Sequence, residues 1–257
     1  MDNINYKEKV EKICEWIKKT VHEARFENLI VAVSGGVDSA VAVSLATKAL
    51  GSENVYAVLL PWGMLNEEGT SDSHNLLRGL EFSESHIILQ DIQESADAVL
   101  KDISEQDVIR RGNVMARIRM VYLYDFAKKY KSLVCGTENK SEYYLGYFTR
   151  FGDEAADIEP IRSLYKTQIW EMAKYLDIPK KIIDKAPTAG LWKSQTDEGE
   201  FGFSYKDADS ILYHHFEEGL PEEGIVDLGI ERALVRKVLG RVKNNDFKHH
   251  LPKVFDA

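Results

Sequence analysis

Ser34-Gly35-Gly36-Val37-Asp38-Ser39 follows the apolar run Leu29-Ile30-Val31-Ala32-Val33 and precedes a segment carrying Ala40, Val41, Val43, Leu45 and Ala46. Two glycines allow close backbone approach, and a helix starting here presents unpaired N–H groups and the positive end of its dipole. With the hydroxyls of Ser34 and Ser39, the loop reads as a phosphate cradle. Asp38 does not suit a plain anion site, because its carboxylate repels phosphate. A magnesium ion bridging Asp38 to phosphate oxygens resolves the conflict. The bland alternative is a strand-to-helix turn capped by Ser34 or Asp38. The loop lacks the lysine of GxxxxGK(S/T), and it does not match GxGxxG.

Further polar segments follow: Gly136-Thr137-Glu138-Asn139-Lys140-Ser141-Glu142, Gly146-Tyr147-Phe148-Thr149-Arg150-Phe151-Gly152-Asp153, and Ala155-Ala156-Asp157-Ile158-Glu159-Pro160-Ile161. Leu164-Tyr165-Lys166-Thr167, Ala186-Pro187-Thr188-Ala189-Gly190-Leu191-Trp192 and Gln195-Thr196-Asp197-Glu198 come later. Read singly, Glu142 is a solvated carboxylate at a helix start and Lys166 a surface lysine. Arg117 and Arg119 sit among apolar residues, so at least one needs an anion or a carboxylate partner.

In its strand–loop–helix setting, SGGVDS resembles the pyrophosphate loop of the N-type ATP pyrophosphatases, which cleave ATP between its α and β phosphates. Taken with the later segments, residues 34 to about 250 resemble, in order and spacing, the synthetase domain of the NAD synthetase family. That resemblance implies ATP-dependent amidation of nicotinic acid adenine dinucleotide (deamido-NAD) through an acyl-adenylate, with AMP and pyrophosphate released. It implies Asp38 and Glu142 as magnesium ligands. Thr137, Lys166 and Thr188 would join the first loop on ATP, and Arg117, Arg150, Asp157 and Lys248 would contact deamido-NAD. Asp153 would receive or deprotonate ammonium. Two positions depart from the family pattern: Arg150 stands where lysine is common, and Phe247-Lys248 stands where a His-Lys pair is usual. His249 and His250 are expected at the surface. Other readings remain open here: a GMP synthetase-like amidating enzyme, a tRNA-modifying enzyme, or a nucleotide-binding sensor without catalysis.

These residues require a scaffold. Val10, Ile13, Cys14, Ile17 and Val21 recur at helical spacing, predicting a first helix over about 7–25. Strands are expected at 29–33, 54–60, 86–89 and 132–135, separated by helices from near Ser39 to Gly51, from Thr70 or Ser71 to about 82, and over 105–130. That alternation predicts an α/β fold, a parallel sheet with helices on both faces, Rossmann-like and of the adenine nucleotide alpha-hydrolase type. The loops after Val33, Leu60, Leu89 and Cys135 should then converge on the ligand. Beyond residue 160 the pattern turns helical, as an extension of a single domain over 1–257. The polar segment Ser194 to Gly202 reads as a mobile lid or a plain surface loop.

Acidic residues number 42 against 33 basic ones in 257, a net charge of −9 that argues against nucleic acid as a bulk partner. The substrates are themselves polyanions, so a local positive site is expected within the acidic total. No apolar run approaches the ~18 residues of a membrane span. The N-terminus lacks a secretory h-region. Cys14 and Cys135, without metal-site spacing, read as reduced core thiols of a cytoplasmic protein. The length leaves no room for the amidohydrolase domain of glutamine-dependent relatives, so free ammonia is the expected nitrogen source. The family forms homodimers, and Val114 to Phe126 could supply a contact surface or a core helix.

Overall fold

The computed structural model describes residues 4–192 and 194–255; Met1 to Asn3, part of the N-terminal reading, lie outside the described residues. Four strands, β1 (Asn28–Ala32), β2 (Val55–Leu59), β3 (Ile87–Leu89) and β4 (Ser132–Cys135), form a parallel sheet in the order β3-β2-β1-β4. Leu29 lies opposite Val55 on one side and Leu133 on the other.

Alternate residues of β1 enter different apolar layers. Leu29 and Val31 pack with α1 (Tyr6–Glu23) and α2 (Val37–Leu50), whereas Ile30 joins the opposite layer. Of the helices that follow, α3 (Glu67–Gly79) packs with α1 and α2, while α4 (Gln93–Leu100) and α5 (Val108–Lys129) cover the opposite face. Burial on both faces explains why β1 is uninterrupted apolar sequence. The helix α1 buries the five residues that announced it, and Asn5 caps it by accepting from the Glu8 N–H at 3.3 Å.

After β4 come α6 (Lys140–Leu145), α7 (Lys166–Tyr175), α8 (Lys180–Ile183), α9 (Asp197–Phe201), α10 (Tyr205–Phe216), α11 (Glu222–Asp227) and α12 (Arg232–Asn245). The helices α7 and α8 add Ile169, Met172 and Ile182 to the α1–α2 layer. Leu145, Phe201, Tyr205, Leu212 and Val238 form a separate cluster, the core of the expected helical extension. Trp170 packs against both bodies.

Several boundaries differ from expectation for identifiable reasons. The helix α2 begins at Val37, and Ser39 lies inside it, its hydroxyl donating to Gly36 O at 3.0 Å. Likewise α3 starts at Glu67, so Thr70 is no cap; its hydroxyl donates back to Asn66 O at 3.0 Å. Such bonding to the carbonyl three or four residues back competes with capping wherever Ser or Thr falls one turn into a helix. The segment at 194–202 is not a plain surface loop: it contains α9, and Gln195, Asp197 and Phe201 are buried. No described helix is long and apolar enough to cross a membrane. Both cysteines are free and buried, and burial raises both thiol pKa values.

Candidate active site

From β1 the chain runs outward to β2 and β3 on one side, and β4 pairs on the other, so strand order reverses between β1 and β4. In such sheets the crevice beyond the carboxyl ends at this reversal is the usual ligand site. The strand-end loops meet here as expected. Gly35 has φ +81, and a Cβ on it would fall 2.3 Å from Gly69 O, which locks the first loop against the start of α3. Asn139, just past β4, donates from Nδ2 to Asp38 Oδ1 at 2.8 Å. Between the second and third loops, the Gly63 N–H donates to Asp91 Oδ1 at 3.1 Å.

Within the loop, the Ser34 N–H donates to Ser39 Oγ at 3.2 Å, and the Gly36 N–H to Ser34 Oγ at 3.3 Å. Ser34 is exposed and Asp38 partly so, while Gly35, Val37 and Ser39 are buried. The turn is closed by its own hydroxyls, and no side chain caps α2 at Gly36, leaving the helix start available to an anion.

Lys166 is not the surface lysine its sequence context suggested. It is 2% exposed, and its Nζ donates to Asp38 Oδ2 at 2.5 Å and to Glu142 Oε1 at 3.2 Å. The start of α7 is pinned so that this reach is fixed: the Lys166 N–H donates to Ser141 Oγ and the Thr167 N–H to Asp209 Oδ2, each at 2.8 Å. Burial alone would lower the lysine pKa, but Asp38, Glu142 and Asp197 outweigh it and raise the value. Glu142, in turn, is raised by burial against the pull of Lys166. It completes a capping box with Asn139, whose Oδ1 accepts the Glu142 N–H at 2.9 Å.

Asn139 and Asp197 received no role from sequence. The Asn-x-x-Glu spacing was the available signal for Asn139 as a helix cap. Asp197, held by the Tyr147 and Tyr205 hydroxyls at 3.0 Å each, acts on Lys166 across a distance the sequence does not show.

The expected dinucleotide residues fall in two groups. Lys248 Nζ donates to Gly146 O at 2.6 Å and Phe148 O at 2.8 Å, beside a cavity of ≈ 630 Å³ that Asp157 also lines. Asp157 extends the sheet edge: its N–H donates to Val134 O and its Oδ2 accepts the Val134 N–H. Arg117 reaches Arg150 O from Nε and Nη2, and Arg150 donates to His250 O. Of the anion or carboxylate partner expected for Arg117 or Arg119, the structure shows only the charge of Asp153 acting on Arg119; the hydrogen bonds go elsewhere. Arg117 is exposed, and Arg119 donates to Leu60 O at 3.0 Å, its pKa lowered by burial to about 10. Carbonyls take the place of an ion pair in both contacts.

Thr137 is half-buried at the end of β4, and Thr188 is exposed on the connection from α8 to α9, its hydroxyl accepting the Gly190 N–H. Asp153 is exposed as a residue, yet its carboxylate accepts the Thr149 N–H at 2.9 Å and its pKa is raised by burial. His249 departs from the surface reading: half-buried, it packs against Tyr143 with ring centroids 4.3 Å apart and planes tilted by 49°, and it lines the same cavity as Lys248.

Fold and site together define a protein of the α/β nucleotide-binding class, with a glycine loop at its topological switch point and a carboxylate–lysine–carboxylate centre beside it. The NAD synthase family model matches residues 9–252, and the chain belongs to that family. It is 37% identical over 252 residues, 98% of this chain and 96% of the relative, to an NH3-dependent NAD+ synthetase of Fusobacterium nucleatum. Among solved structures, NMN synthetase from Francisella tularensis matches with a TM-score of 0.86 at 34% identity, covering 99% of this chain and 100% of the other. An NH3-dependent NAD synthetase from Campylobacter jejuni matches with a TM-score of 0.83 at 32% identity, covering 98% and 100%.

Proposed function

We propose that this chain amidates deamido-NAD to NAD, using ATP and free ammonia and releasing AMP and pyrophosphate. The observation that carries the reading is the meeting of Asp38, Glu142 and Lys166 beside the phosphate loop. A carboxylate oxygen of the nicotinate attacks the α phosphate, the bond to the β-phosphate oxygen breaks, and pyrophosphate departs. Ammonia then adds to the activated carbonyl, and AMP leaves with the oxygen that made the attack.

The chain's own groups would supply charge and position. Ser34, Gly35, Gly36, Val37 and Ser39 would receive the departing pyrophosphate at the start of α2, with Thr137 and Thr188 holding the rest of ATP. Lys166 would turn from its carboxylates toward phosphate. Asp153, whose proton affinity is raised by burial, would take a proton from ammonium. Arg117, Arg150, Asp157 and Lys248 would hold the acid substrate.

Two carboxylates already converge on one cationic nitrogen, so the donor set suits a hard divalent cation completed by phosphate and water oxygens. Among the described residues no cluster of three or more His, Cys, Asp or Glu is placed to hold a metal. A magnesium ion held by Asp38 and Glu142 would therefore need substrate oxygens to complete its shell. When bound, magnesium would neutralise charge on the phosphate oxygens.

A second reading concerns the length of the acid. The Francisella tularensis neighbour bears the name NMN synthetase, and this chain departs from the common pattern at Arg150 and Phe247. Nicotinate mononucleotide is therefore the competing acid substrate. Incubation with Mg-ATP, ammonium and each acid tests both: AMP and pyrophosphate formed preferentially with the dinucleotide support the main reading, and preference for the mononucleotide replaces it. We also propose a cytoplasmic homodimer with residues 114–126 at the contact, supported by the exposed Val121 on α5; a monomeric mass in light scattering would refute the assembly.

A further inference from the structure

Asp209 lies on α10 and is 0% exposed, yet both of its oxygens are engaged by other helices. Ser141 Oγ donates to Oδ1, and the Thr167 N–H donates to Oδ2 at 2.8 Å. Ser141 is the neighbour of Glu142 on α6, and Thr167 is the neighbour of Lys166 on α7. The Ser141 hydroxyl also accepts the Lys166 N–H at 2.8 Å, so the two helix starts share one connected set of bonds. Beyond that set, Lys166 Nζ stands 3.2 Å from Glu142 Oε1.

A carboxylate among Ala208, Ile211 and Leu212 is costly unless donors meet its charge. Hydrogen bonds from Ser141 and from the N–H and hydroxyl of Thr167 do so, and Lys166 acts on it through charge. A carboxylate has acceptors for three converging donors, whereas an amide offers one oxygen. Capping does not account for the arrangement. The helix α6 caps itself through Asn139 and Glu142, so its bond to Asp209 adds a fixed distance to α7 rather than a missing cap.

We propose that Asp209 is a positioning residue for the reaction: through Ser141 and Thr167 it sets the separation between the Glu142 carboxylate and the Lys166 ammonium. This rests on the function proposed above, which places both groups at the ATP phosphates. Such groups act by being held where charge develops, so their displacement is felt in turnover. The residues proposed to hold the acid substrate, Arg117, Arg150, Asp157 and Lys248, bond elsewhere.

The full chain carrying Asp209→Asn or Ser141→Ala is compared with wild type and with Val238→Ala, which thins the same core without touching these bonds. In the first two, kcat should fall about ten-fold or more, the scale of a lost hydrogen bond to a charged group, with KM for the acid substrate unchanged. Calorimetric affinity for Mg-ATP should fall with it. Val238→Ala should keep both kcat and affinity despite a lower unfolding midpoint. Asp209→Asn and Ser141→Ala combined should lose no more than the worse single variant, because the two act along one chain of bonds. Wild-type kcat in both single variants, an equal loss in Val238→Ala, or losses that multiply in the double variant overturn the proposal. Should Asp209→Asn not fold, Ser141→Ala against Val238→Ala makes the comparison alone. Should no nicotinate nucleotide be amidated, the functional reading fails instead, and Mg-ATP affinity across the variants decides the positioning role by the same criteria.

Discussion

Lys166 Nζ lies 2.5 Å from Asp38 Oδ2, joining residues 128 positions apart at the reversal of strand order. The lysine is buried, Asp38 is mostly so, and Glu142 shares the ammonium, so the pair cannot be treated as a surface salt bridge of small value. Removing the ammonium would leave two carboxylates without their cation. Lys166→Met should destabilise the fold by about 3–5 kcal/mol. Thermal unfolding near neutral pH checks this, and a midpoint equal to wild type would show that the pair carries no structural weight.

Asp38→Asn keeps the bond from Asn139 possible but removes the charge proposed to face magnesium. AMP release should fall by two orders of magnitude or more, roughly the scale of one lost electrostatic contact to reacting phosphates. The magnesium concentration for half-maximal rate should rise as well. Unchanged AMP release at limiting magnesium would remove Asp38 from the role assigned to it.

Gly35→Ala places a methyl against Gly69 O in a backbone region that disfavours it, whereas at Gly36 the nearest atom to a Cβ is Ser34 Oγ at 3.4 Å. The first substitution should cost at least about 1–3 kcal/mol and weaken ATP binding, and Gly36→Ala should be far milder in stability. Calorimetric titration with ATP and urea unfolding of both variants provide the comparison. Equal loss of stability in the two would deny the loop-to-α3 packing its importance.

Burial raises the carboxyls of Glu138 and Glu159 to about 7 and about 8 from an ordinary 4.5, with Glu154 acting on both in the same direction. Glu138 repels Glu159, Asp153 adds to the effect on Glu138, and Arg162 opposes the rise in both. The folded chain therefore keeps protons that the unfolded chain releases above pH 4.5, and stability should fall as pH rises from there through about 8. Glu159→Gln should flatten that decline. Urea midpoints across the window measure the slope, and identical slopes in wild type and variant would contradict the cause given.

Much of the scaffold is visible in local pattern. The spacing from Val10 to Val21 marks α1, the apolar run at 29–33 marks β1, and the glycines mark the tight loop between β1 and α2, because each is a property of neighbours in sequence. The centre of the site is a different matter. Lys166 looks like an exposed lysine until Ser141 and Asp209 fix the start of α7, and Asn139 meets Asp38 only through the pairing of β1 with β4. The family resemblance named Asp38, Glu142 and Lys166, but neither it nor their spacing foretold that the lysine would sit between the carboxylates. The cluster of Glu138, Glu159 and Arg162 forms no motif at all. Its members meet only when the edge of β4 is built.

The central claim is that the acid's own oxygen attacks the α phosphate. Deamido-NAD labelled with oxygen-18 in its carboxylate, turned over with Mg-ATP and ammonium, tests this by mass spectrometry of the nucleotide released. The account predicts AMP carrying a single labelled oxygen. Unlabelled AMP, or ADP in its place, would contradict it.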